Sequence, residues 1–195
     1  DEADRASQAR RAMIDSQLRT SGVNAEPVLR RMAEVAREAF VPEAARGFAY
    51  IDRAIALGGG RQLAAPVVHG MMLQEVGQAA ADKALLVDGG SGYLAELLRP
   101  LVGSLEVLTP EDAAGTPRTS GDFSLLVIDG AVEQLPEALA GALADGARVV
   151  TGMVENGVTR LAIGRKAAGA VRLLPLAELG IPVLPAFAAP KGWSF

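Results

Sequence analysis

Residues 83–98, KALLVDGGSGYLAELL, decide how the chain is read. An apolar run of Ala84, Leu85, Leu86 and Val87 meets a turn of Asp88, Gly89, Gly90, Ser91 and Gly92, after which Tyr93, Leu94, Leu97 and Leu98 fall at helical spacing. The pattern predicts a strand, a glycine turn and a helix. Residues without a Cβ leave room for a ligand beside the turn's backbone N–H groups, and a nucleotide-like cofactor suits that place. Such turns also join strands to helices in α/β domains that bind nothing there, so both readings stay open.

Upstream, residues 4–18 are rich in Ala, Arg and Gln, and Met13, Ile14 and Leu18 give a predicted helix one apolar face, ended by Ser21, Gly22 and Val23. Asn24 reads as the cap of a second helix with Pro27 in its first turn and Val28, Leu29, Met32 and Val35 as its buried stripe; Phe40, Val41 and Pro42 stop it. Residues 43–48 read as a short helix or turn. AYIDRAIALGGGRQLAAP, residues 49–66, is too irregular for a core element, and its three consecutive glycines suit a loop that carries function or joins lobes. Pro66 then starts a helix with Val67, Val68, Met71, Met72, Val76 and Ala79 on its apolar face.

Downstream, residues 104–108 predict a second strand, and TPEDAAGTPRTSGD, residues 109–122, has neither helical nor strand period. Residues 123–128 predict a third strand ending at Asp129. QLPEALAGAL is a predicted helix, and ARVVTGMV, preceded by Asp145 and Gly146, a fourth strand. VTRLAIGRKA followed by AVRLLPLAELGIPVLPAF reads as a β-meander. Strands alternating with helices and then strands alone imply a doubly wound, mostly parallel sheet with an antiparallel edge.

At 195 residues the chain suits one α/β domain with an N-terminal helical extension. The expected organisation is helical extension at 1–48, loop and connecting helix at 49–82, and α/β core at 83–195. Half the residues are hydrophobic and only 4% aromatic, as expected of helices packed on a parallel sheet. The lack of cysteine excludes disulfides, thiolate metal sites and thiol nucleophiles, and a single histidine argues against zinc. A formal charge of −4 argues against nucleic acid as a partner, and Arg5, Arg10, Arg11 and Arg19 read as a solvated helix face. With no apolar run of 18 residues and no signal segment at the start, a soluble, cytoplasmic protein without membrane contact is expected.

Taken in order, MIDSQL, VLRRM, VAREAFVP, AYIDRAIALGGG, RQLAAPVVHGMM, KALLVDGGSGYLAELL, FSLLVIDGAVEQLPEAL and VRLLPL resemble the protein-L-isoaspartate O-methyltransferases over most of the chain. The resemblance implies a Rossmann-like fold, S-adenosylmethionine as cofactor and methylation of isoaspartyl carboxylates in damaged proteins or peptides. It places Gln62, Leu63, Ala64, Ala65 and Pro66 in the substrate loop, and Asp88, Gly90, Ser91, Gly92, Thr109 and Asp129 around the cofactor.

The chain departs from the family's pattern at several of these positions. Ala64 stands where the family has a Ser whose hydroxyl lies near the reacting carboxylate, so no catalytic residue is assigned. Leu86 replaces the family's acid, and Asp88 replaces the first of three alternate glycines. The carboxylate of Asp88 either repels the cofactor's own carboxylate or takes its ammonium from a shifted turn. Thr109 stands where such folds carry the acid that holds both ribose hydroxyls, with Glu111 and Asp112 close behind as substitutes. Residues 110–122 are too few for the family's next helix and strand, so one edge strand–helix unit is expected to be missing.

Methyl transfer from a sulfonium needs alignment and exclusion of water more than acid–base help, but it does need the cofactor. Losing the ribose acid and the adenine wall removes charge-assisted bonds of about 1.5–3 kcal/mol each. The resemblance therefore leads to an isoaspartyl methyltransferase with impaired or lost activity. The alternative is a non-catalytic relative that binds a peptide or partner through the loop or forms a homodimer through its apolar helices. A dinucleotide oxidoreductase is disfavoured by the meander and the absent ribose acid. His69 reads as a hydrogen-bonded core residue rather than a catalytic one, and Asp129 as a functional group or a helix cap. Tyr93 is expected against the N-terminal helices, Asp52 in loop support or plain solvation, and Trp193 over core or a partner subunit.

Overall fold

The computed structural model describes residues 1–116 and 121–191, so Trp193 lies outside the described residues. The described residues form eight strands, β1 (Ile55–Gly58), β2 (Arg61–Leu63), β3 (Ala79–Val87), β4 (Val102–Leu108), β5 (Phe123–Val132), β6 (Leu143–Glu155), β7 (Val158–Ala167) and β8 (Ala170–Glu178). The α-helices are α1 (Glu2–Met13), α2 (Glu26–Glu34), α3 (Pro66–Val76), α4 (Tyr93–Leu98), α5 (Pro110–Ala114) and α6 (Glu137–Gly141). A π-helical turn at Ile14–Leu18 and a 3₁₀ turn at Arg19–Ser21 continue α1 to Gly22.

The main sheet has the order β4-β3-β5-β6-β7-β8. Its first four strands are parallel, while β7 and β8 run antiparallel as the expected meander. Both faces of the parallel part are covered, and the period of two sorts the side chains. Ala84, Leu86, Leu125, Val127 and Val150 join the core beneath the N-terminal helices, whereas Leu85, Val87, Leu126, Ile128 and Val149 join a second core on the other face. The expected missing unit is borne out among the described residues: β4 is the sheet's edge, and α5 alone follows it before β5.

Several elements differ from their sequence expectation for local reasons. Ala79 belongs to β3, not to α3, because Gly77 at φ 61 ends the helix two residues earlier. Asn24 does not cap α2: the cap position is Ala25, and the side chain of Gln74 on α3 accepts from both the Asn24 and Ala25 N–H groups at 2.9 and 3.0 Å. Residues 49–66 contain a two-stranded hairpin, β1 against β2, separate from the main sheet. Strand β5 runs past Asp129 to Val132 with an irregular register after Val127, and β6 begins before Asp145 and Gly146. Past Glu178 the chain leaves the meander, since Pro182 and Pro185 have no N–H for a ladder, and it crosses back over β5. There Ala131 N–H donates to the Pro182 carbonyl at 2.8 Å and Leu184 N–H to the Ala131 carbonyl at 2.9 Å.

The N-terminal region is tied down by polar contacts. Arg10 Nε donates to the Tyr50 hydroxyl at 2.7 Å and Arg10 Nη2 to Glu38 at 2.9 Å, while the Tyr50 hydroxyl donates to Glu38. Burial, then the bond to Glu38, pushes the Tyr50 phenol up to about 12. Arg37 is fully buried, with Nε on the Ala49 carbonyl at 2.6 Å and Nη2 on the Ala64 carbonyl at 2.8 Å. Its guanidinium also lies over the Tyr93 ring, which meets Phe40 edge-on, so Tyr93 does pack against the N-terminal region. No described helix is long and apolar enough to cross a membrane.

Candidate active site

The sheet order reverses at β3: the chain passes from β3 to its neighbour β4 and then returns to the other side of β3 as β5. Ligands of open α/β sheets bind at the carboxyl ends of the strands beside such a reversal. A cavity of about 350 Å³ opens there. Its floor is Asp88, Gly89 and Gly90 after β3 and Asp129 on β5; Thr109, Pro110 and Glu111 after β4 form one side. Gly59, Gly60, Arg61 and Gln62 of the hairpin form another side, and the returning segment Pro182–Ala186 closes it from above. The volume falls within the range of small-molecule sites.

Asp88 decides the character of the floor. Its carboxylate accepts from Gly90 N–H at 3.0 Å and from Gly92 N–H at 3.2 Å, so these two donors of the turn are satisfied from within. Ser91 Oγ accepts from the N–H of Tyr93, the first residue of α4, at 3.0 Å, and Gly92 holds the N-cap position. Ser91 and Gly92 do not line the cavity, whereas Asp88 and Gly90 do. Burial first, and then the charge of Asp129, pushes the Asp88 carboxyl up from its ordinary value, against the opposing effect of the two backbone bonds. Gly89, read in the sequence as part of the turn but not among the cofactor residues, lies so near β5 that a Cβ would stand 2.6 Å from the Asp129 carbonyl oxygen. Only glycine lets the two strand ends approach in this way.

Asp129 is held from another element. His69 on α3 is fully buried, and its Nε2 lies 2.8 Å from Asp129 Oδ1. A carboxylate acceptor makes Nε2 the protonated ring nitrogen. The expected core histidine is therefore hydrogen-bonded, and its partner is a cavity residue. Asp129 caps no helix, since α6 begins at Glu137 behind Pro136.

Thr109 lines the cavity, but its hydroxyl accepts from Asp112 N–H at 3.1 Å as the cap of α5. This short helix brings Glu111 to the cavity; Asp112 is not among the lining residues. Of the five loop residues, Gln62 alone reaches the cavity. Leu63 and Ala64 are buried beneath it, the Ala64 carbonyl is bonded to Arg37, Ala65 is half-buried and Pro66 opens α3. Asp52 is exposed, away from the lining.

Sequence reasoning also missed Arg61 and the segment Pro182–Ala186. Arg61 Nη1 donates to the Gly90 carbonyl at 3.2 Å, which sets a guanidinium at the cavity wall. Its proximity to the glycine hairpin was a usable signal. The segment had none, because its place depends on pairing with β5 some fifty residues upstream. Among the described residues, no group of three or more His, Cys, Asp or Glu side chains forms a metal site.

The sequence profile described as Protein-L-isoaspartate(D-aspartate) O-methyltransferase matches residues 8–115. The chain is 32% identical over 165 residues to Protein-L-isoaspartate O-methyltransferase 2 of Anaeromyxobacter sp. (strain Fw109-5), covering 72% of this chain and 68% of that protein. It is 32% identical over 168 residues to the Protein-L-isoaspartate O-methyltransferase of Herpetosiphon aurantiacus, covering 73% and 75%. In fold it is similar, at a TM-score of 0.73 and 17% identity, to a putative protein-L-isoaspartate O-methyltransferase from Plasmodium falciparum solved in complex with S-adenosyl-L-homocysteine, over 91% of this chain and 98% of that one. The extent of these matches and the order of the sheet lead to one conclusion: the chain belongs to the protein-L-isoaspartate(D-aspartate) O-methyltransferase family.

Proposed function

We propose that the chain is an isoaspartyl carboxyl methyltransferase working from S-adenosylmethionine at the β3–β5 cavity, with activity impaired by its own Asp88. The observation that carries this reading is the pair of bonds from Gly90 and Gly92 N–H to the Asp88 carboxylate. The cavity suits the cofactor in position and size, and its carboxylates suit a sulfonium cation. The turn does not suit the cofactor's carboxylate, because its Gly90 and Gly92 donors are taken by Asp88. When bound, S-adenosylmethionine supplies a methyl group on a positively charged sulfur.

The chain's own residues then have mainly alignment to provide. Asp129, fixed by His69, offers a rigid negative group at the strand ends, and Gly89 and Gly90 let backbone rather than side chain form the floor. Pro182–Ala186 shields the cavity from water. Arg61, exposed at the wall with a cationic group, is suited to draw an isoaspartyl carboxylate towards the cavity; Gln62 beside it can hydrogen-bond peptide amides.

The test is transfer of labelled methyl from S-adenosylmethionine to an isoaspartyl peptide, by the wild type and by Asp88→Gly, read as base-labile methyl ester. Slow transfer by the wild type and at least a tenfold gain in Asp88→Gly support the reading. The absence of methyl ester with both proteins at millimolar cofactor overturns it.

A further inference from the structure

We infer that the β3–β5 cavity prefers sulfonium nucleosides whose side chain ends in an ammonium group without a carboxylate. The inference rests on the proposed placement of the sulfonium nucleoside in this cavity and concerns the selectivity that Asp88 gives it. Asp88 performs two opposite tasks at one point. Its oxygens use the Gly90 and Gly92 N–H groups, so a ligand carboxylate arriving at the turn finds these two donors taken. The same two oxygens each keep a lone pair, and a carboxylate with lone pairs to spare is a good acceptor for an ammonium.

The rest of the lining works in the same direction. Asp88, Glu111 and Asp129 bring three carboxylates to the cavity, and Arg61 is the one cation among its described lining residues. One nitrogen of that guanidinium, Nη1, is directed at the Gly90 carbonyl. A Cβ at Gly89 would stand 2.6 Å from the Asp129 carbonyl oxygen and 3.1 Å from its Oδ2, which sets the turn that carries Asp88 directly beside Asp129. A ligand carboxylate would add a further negative charge to this arrangement and must displace Asp88 to gain the Gly90 and Gly92 donors. Removing that carboxylate from the ligand removes the conflict and keeps both the sulfonium and the ammonium, which the lining attracts.

The experiment is calorimetric titration of the intact protein with decarboxylated S-adenosylmethionine and, separately, with S-adenosylmethionine, repeated on Asp88→Asn and Asp88→Gly. The wild type is expected to bind the decarboxylated compound at least tenfold more tightly, and the ratio is expected to fall in Asp88→Asn and to reverse in Asp88→Gly. Equal or tighter binding of S-adenosylmethionine by the wild type overturns the inference without needing any variant to fold. An unchanged ratio in Asp88→Gly overturns Asp88 as its source. Methyl transfer to the isoaspartyl peptide without the preference sinks this inference alone, whereas absence of heat with both compounds sinks it together with the placement of the cofactor.

Discussion

Two carboxylates stand at the ends of the central strands, and they differ in what satisfies them. Asp129 is bonded to His69, a fully buried side chain from a different element, and is itself only 7% exposed. Asp88 is bonded to the backbone of its own turn, two and four residues further on. The first arrangement depends on the tertiary fold and sits in the core; the second is complete within five residues. The contrast teaches that the two acids report on different things, Asp129 on the packing of α3 against the sheet and Asp88, on the proposed reading, on what the cavity accepts.

Mutations that separate the two should differ in kind. His69→Ala leaves Asp129 buried without its partner and opens a void, and a loss of about 3 kcal/mol is expected from urea unfolding. Asp88→Gly removes only local bonds, so its unfolding free energy should stay within about 1 kcal/mol of wild type. Equal losses in the two variants would erase the contrast. Thr109→Ala falls between them in character: the hydroxyl caps α5, and about 1 kcal/mol should disappear with it, while ligand affinity changes little. A large loss of affinity in Thr109→Ala would instead mean that the hydroxyl leaves its cap to reach the ligand.

The smallest effect is a dependence on pH. Burial and then Asp129 raise the Asp88 carboxyl, so the folded chain holds this proton to a higher pH than the unfolded chain does. Its contribution to stability is therefore fully present below the ordinary aspartate value and lost as pH rises through the folded value. The wild type should lose stability relative to Asp88→Asn across that acidic range, as read by thermal melts at a series of pH values. A difference that grows in the opposite sense would mean that the two backbone bonds outweigh burial.

Much of this was legible in the sequence where the determinants are local. The apolar run before Asp88, the glycine turn and the Leu spacing of α4 specify strand, turn and helix because each depends on neighbours within a few residues. The short passage after β4 announced the missing edge unit by its length alone. The cap of α2 was misread, because the acceptor is Gln74, some fifty residues away, rather than the adjacent Asn24. The roof of the cavity was misread for the same reason: Pro182–Ala186 is placed by Ala131 and by Leu184 packed on Gly130. For Asp88 the sequence left two outcomes, repulsion or capture of an ammonium. Neither envisaged that the carboxylate would first fold onto its own turn, which depends on positive φ at Gly90 and Gly92.

On the proposed reading, Asp88 occupies the Gly90 and Gly92 donors that would otherwise serve a ligand carboxylate. Calorimetric titration of wild type and Asp88→Gly with S-adenosyl-L-homocysteine, which carries the carboxylate but no sulfonium charge, tests it most directly. Freeing one charge-assisted bond of about 1.5 kcal/mol corresponds to roughly tenfold in affinity, so Asp88→Gly should bind at least tenfold more tightly. Unchanged or weaker binding in Asp88→Gly would contradict the account.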